Sequence, residues 1–87
     1  FEEAQAYLPP LADALRAGDA PTLNQHAACL QAIGAQKHDA PTLRQAWDVT
    51  QTVFKLPCAP PERAAAMRRS VALMPSMLEA QVIEWLQ

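Results

Sequence analysis

Apolar positions recur along this chain at intervals of three and four, the spacing that places side chains on one face of a helix. The pattern is cleanest between residues 41 and 55. There Leu43, Ala46, Trp47, Thr50, Val53 and Phe54 fall on one side, while Arg44, Asp48, Gln51 and Lys55 gather on the other. Arg44 and Asp48 stand four apart and predict an ion pair on the outer face. Upstream, Leu23, Ala27, Leu30 and Ile33 form a second stripe that includes His26. Downstream, Ala64, Met67, Val71 and Met74 mark a third. Leu78, Val82, Trp85 and Leu86 mark a fourth, with Met77 and Ile83 pointing elsewhere. Near the start, Ala4, Leu8, Leu11 and Leu15 align as well, although Leu8 precedes a proline, which biases it away from helical geometry.

Prolines punctuate these stretches. Pro9-Pro10, Pro21, Pro41, Pro60-Pro61 and Pro75 each precede a periodic segment. Proline fits the first turn of a helix, where its missing N–H is not needed, and disrupts the interior. Gly18 and Gly34 follow two of the segments, at places suited to a left-handed C-terminal residue. The pattern predicts an all-α fold, a compact bundle of about five short helices at residues 9–17, 21–34, 41–55, 61–73 and 76–86. A further short helix fits residues 2–7.

Two helix starts echo each other. Residues 19–31 and 39–51 match at seven of thirteen positions, and both open with Asp-Ala-Pro-Thr. A recurrence of this length can signal a repeat array, but arrays generally need three copies or more. The local explanation is sufficient: Asp19 and Asp39 cap free amides at the positive end of a helix, with proline in the first turn.

Composition agrees with the helical reading. Of 87 residues, 51% are hydrophobic, but 18 of those are alanine and two are cysteine, leaving 24 larger apolar side chains. The packing expected is therefore one of closely spaced helices in a single domain, residues 1–87. A chain beginning at Phe1 reads as a domain of something longer. It shows no signal peptide and no apolar run approaching the roughly 18–20 residues of a membrane span, so a cytoplasmic location is expected. Abundant alanine and arginine with little lysine suits a GC-rich bacterial genome. The two glycines exclude a glycine-rich phosphate loop.

Four groups of residues could carry function. His26, Cys29, His38 and Cys58 supply the number of donors that tetrahedral zinc requires. His26 and Cys29 share one side of a helix, yet neither cysteine has a second within two to four residues, unlike familiar zinc modules. Cys29 and Cys58 could form one bridge, or could be one buried thiol on a helix and one in a loop. The carboxylates are dispersed, and Ser70 and Ser76 lie in no nucleophile-elbow context. The domain alone is thus expected to be non-enzymatic and to need no cofactor, although it could serve a larger enzyme as an accessory domain.

Lys37, Arg44, Arg63, Arg68 and Arg69 would be the contacts of a small helix-turn-helix-like DNA-binding regulator. Only seven basic residues stand against nine acidic ones, and affinity for DNA rests largely on phosphate contacts by lysine and arginine. On a helix, moreover, Arg63, Arg68 and Arg69 point about 120° apart. The fourth group comprises Met67, Met74, Met77, Ile83 and Trp85. These residues either close the core of the bundle or present an adaptable surface to a partner. The surplus apolar positions Met77 and Ile83 favour the second use. The leading expectation is a non-catalytic protein–protein interaction or regulatory module, binding a protein partner or itself. DNA binding and a metal- or redox-responsive role are the alternatives.

Overall fold

The computed structural model describes residues 6–86, and among these lie four helices of about two to seven turns. They are α1 (Leu11–Ala17), α2 (Ala20–Lys37), α3 (Ala40–Lys55) and α4 (Pro60–Leu86). No strand occurs among the described residues. The helix expected at residues 2–7 falls mostly outside the described residues.

Local sequence accounts for most of the boundaries. Asp19 precedes α2 and accepts hydrogen bonds from the backbone N–H of Thr22 (3.4 Å) and from its hydroxyl (2.6 Å). Asp39 precedes α3 and accepts only from the Thr42 hydroxyl (2.6 Å). Both helices carry proline in the first turn. Both Asp-Ala-Pro-Thr segments are helix starts, but the expected amide cap forms at Asp19 and not at Asp39, whose carboxylate bonds the Thr42 hydroxyl instead. Gly18 ends α1 at φ 66°, the left-handed geometry glycine adopts without strain.

Gly34 behaves differently from the expectation. It lies inside α2, which runs on to Lys37, and His38 takes the left-handed position at φ 50°. Gly34 is buried against the start of α3, where a Cβ would stand 2.8 Å from Cγ of Leu43. At the opposite end, Gly18 faces Leu56 just beyond α3. Leu43 in the first turn of α3 thus meets Gly34 in the last turn of α2, and Leu56 just after α3 meets Gly18 just before α2, so the two helices run antiparallel over their full lengths as a hairpin joined by His38 and Asp39.

The second difference lies in the C-terminal third. Residues 61–73 and 76–86 were expected as separate helices divided at Pro75, but both belong to α4, with Pro75 inside it. Proline has no N–H to give the Val71 carbonyl. That carbonyl is on the exposed side of the helix, where water can satisfy it, so the helix continues. At 1.5 Å per residue α4 is about 40 Å long and spans the longest dimension of the molecule, 38 Å.

The core lies where the three long helices meet. Leu23, Ala27 and Leu30 of α2 face Ala46, Val49 and Val53 of α3, with Ala14 closing the α1 end. Leu43, Trp47 and Phe54 border it half-buried. The apolar faces expected for α2 and α3 are the buried ones. Thr50, fully buried, donates to the Ala46 carbonyl (2.8 Å) and so leaves no unpaired hydroxyl in the core. The expected Arg44–Asp48 pair is present on the outer face at 3.5 Å.

Candidate functional site

The orientation of α4 creates the most unusual surface of the molecule. The face it turns inward carries Ala66, Ser70 and Leu73, small side chains apart from Leu73, which let α4 approach the hairpin closely. Polar contacts fix the rotation. The buried Asn24 amide donates to the Glu62 carbonyl (3.0 Å) and to Glu62 Oε2 (2.8 Å). Its oxygen accepts from Nη1 of Arg69 (2.9 Å), so every hydrogen-bonding site of its nitrogen and one of its oxygen is used. Gln51 on α3 donates to Ser70 (3.1 Å). Burial lowers the pKa of the Arg69 guanidinium from its usual value, and repulsion from Arg68 adds to this, while Glu62 acts in the opposite direction.

With that rotation set, the larger apolar side chains of α4 point outward. Met67, Val71, Met74, Leu78, Val82 and Trp85 are all exposed, from 46% at Met74 to 76% at Trp85. Their spacing of four, three, four, four and three keeps them within one narrow stripe. Ala64 and Pro75 lie on the same side and are exposed too.

The five expected partner contacts therefore divide. Met67, Met74 and Trp85 belong to the stripe. Met77 is half-buried against α3, between two open grooves. Arg44, Trp47, Met74 and Leu78 border one groove; His38, Leu43 and Ile83 border the other. Ile83 is 49% exposed but sits on this second flank, off the stripe. Val71, Leu78 and Val82 also belong to the stripe and were not among the expected contacts. Their signal was present in the sequence: the register from Met67 to Trp85 runs unbroken through Pro75, and dividing the segment there hid its length.

The remaining candidates are scattered. His26 is buried and its Nε2 lies 2.6 Å from the Pro9 carbonyl oxygen, so that nitrogen carries the proton, while Nδ1 has no partner. Cys29 is a buried free thiol on α2; Cys58 is a half-buried free thiol in the loop before α4, 3.8 Å from the Val53 carbonyl. His38 is exposed at the α2–α3 turn. Among the described residues no three His, Cys, Asp or Glu side chains are grouped to hold a metal ion, so His26, Cys29, His38 and Cys58 do not converge.

The basic residues do not converge either. Arg44 pairs with Asp48, Arg69 is turned inward to Asn24, Arg63 and Arg68 are exposed on α4, and Lys37 lies at the end of α2. No described helix is long and apolar enough to cross a membrane.

The chain matches no protein-family model, and neither a curated protein nor a solved structure is significantly similar to it.

Proposed function

We propose that this domain is a non-catalytic helical interaction module and that its working surface is the outer face of α4. One observation carries the reading: Met67, Val71, Met74, Leu78, Val82 and Trp85 form a continuous apolar stripe, all of it exposed. Isolated exposed apolar residues are ordinary, whereas a contiguous row of six along one helix is the form of surface that protein partners cover. Helices recognised through such a face are read at intervals of three and four, as here. Methionine at two of the six positions lets the surface adapt its shape to the partner.

The test compares the wild-type chain with a Val71→Glu/Leu78→Glu variant by native mass spectrometry and by co-purification. Both residues are exposed, so the variant should keep the far-ultraviolet dichroism and cooperative unfolding of the wild type. The wild type should enter a complex, with itself or with another protein, that the variant cannot form. A wild-type chain with no complex dependent on these two residues overturns the reading, as does a complex the variant forms equally well.

A further inference from the structure

The outer face of α4 is not only apolar but complementary to itself when reversed. Its exposed members Ala64, Met67, Val71, Met74, Pro75, Leu78, Val82 and Trp85 are separated by three, four, three, one, three, four and three residues. The series reads the same in both directions. We infer that the partner of this face is a second copy of the chain, its α4 antiparallel to the first about a two-fold axis between Met74 and Pro75. The inference rests on the interaction reading above and names its occupant.

A two-fold axis makes a contact isologous, so each residue meets a counterpart fixed by the symmetry. Here Ala64 opposes Trp85 of the second copy, Met67 opposes Val82, Val71 opposes Leu78, and Met74 opposes Pro75. Every apolar side chain meets another apolar side chain. At the ends of the stripe the largest residue faces the smallest, which suits interdigitation.

Charge selects the antiparallel direction. The exposed charges on the first half of α4 are Arg63 and Arg68, and those on the second half are Glu79 and Glu84. None of the four has an ion-pair partner among the described residues. Arg68 and Glu79 project along the same edge of the stripe, separated by about 20° around the helix. In a two-fold antiparallel pair each edge faces the same edge of the other copy. Arg68 then lies opposite residue 81, two residues or about 3 Å along the axis from Glu79, within reach of a long side chain. Each dimer contains this Arg68–Glu79 pairing twice. A parallel two-fold pair would instead place the two copies of this edge on opposite sides of the interface, so Arg68 would meet no Glu79 and neither pairing would form.

Sedimentation equilibrium on the wild type and three charge variants tests this, with dichroism confirming each fold. The wild type should be a concentration-dependent dimer. Arg68→Glu and Glu79→Arg should each weaken it about tenfold or more, because each puts two like-charged pairs in the interface. The double variant Arg68→Glu/Glu79→Arg should restore dimerisation to near the wild-type strength. Arg68 is exposed, so reversing its charge should leave the monomer fold intact, as the dichroism checks. A dimer that both single variants weaken but the double variant does not restore overturns the antiparallel pairing. So does a dimer indifferent to all three. A wild-type monomer overturns the second copy as occupant while leaving the interaction module standing, provided a complex with another protein still depends on Val71 and Leu78. If no such complex exists, both readings fall.

Discussion

Gly34 and Leu43 set how closely α2 and α3 approach. A Cβ built on Gly34 would lie 2.8 Å from Cγ, 2.9 Å from Cδ2 and 3.1 Å from the backbone nitrogen of Leu43. The first two contacts could be relieved by moving a side chain. The third involves backbone at the first turn of α3, and relieving it means separating the helices.

Gly34→Ala is therefore expected to destabilise the domain, although alanine is the better helix former by about 1 kcal/mol. Overpacking of this kind typically costs about 1–3 kcal/mol, and the backbone contact limits relaxation. The midpoint of urea unfolding should fall. A midpoint that stays the same or rises would show that the hairpin can open at this point without loss.

The triad of Asn24, Glu62 and Arg69 should behave as a coupled unit. Asn24→Ala leaves the half-buried Arg69 guanidinium without its amide oxygen and should cost about 2–3 kcal/mol, as for a hydrogen bond to a charged group. Combining Asn24→Leu with Arg69→Met removes both the polar group and the charge it served, and should recover much of that loss. A double-mutant cycle measured by chemical denaturation gives the coupling directly. Additive effects of the two single substitutions would mean that the contact does not hold the rotation of α4.

Pro75 carries a cost that the fold tolerates. It is exposed, so alanine fits without a clash, and it restores the N–H that the Val71 carbonyl lacks. Pro75→Ala is expected to stabilise the monomer by about 1–3 kcal/mol and to increase its helical ellipticity, both read at high dilution. A loss of stability would indicate that the ring of Pro75 makes contacts worth more than the missing hydrogen bond.

Much of this architecture is encoded in short stretches. The Asp-Ala-Pro-Thr segments start α2 and α3 with a proline in the first turn, where its missing N–H is not needed, and at α2 the Asp19 carboxylate also caps the Thr22 amide. The stripes of Leu23, Ala27, Leu30 and of Ala46, Thr50, Val53 point inward because each helix has one apolar side, leaving only one rotation that buries it. Gly18 was legible as a terminator from its place after a periodic run.

The sequence by itself thus determined the helical class and the starts and buried faces of α2 and α3. Tertiary structure decided the use of Gly34, the continuity of α4 through Pro75 and the rotation of α4. Periodicity records which residues share a face but not which face a neighbour covers. On α4 the bulky stripe offered more apolar surface, yet Ala66, Ser70 and Leu73 are the residues covered. Asn24 decides this from 38 and 45 positions away, through Glu62 and Arg69. A hydrogen-bonded match between distant residues leaves no period in the chain, and it is this match that turns Met67 through Trp85 outward.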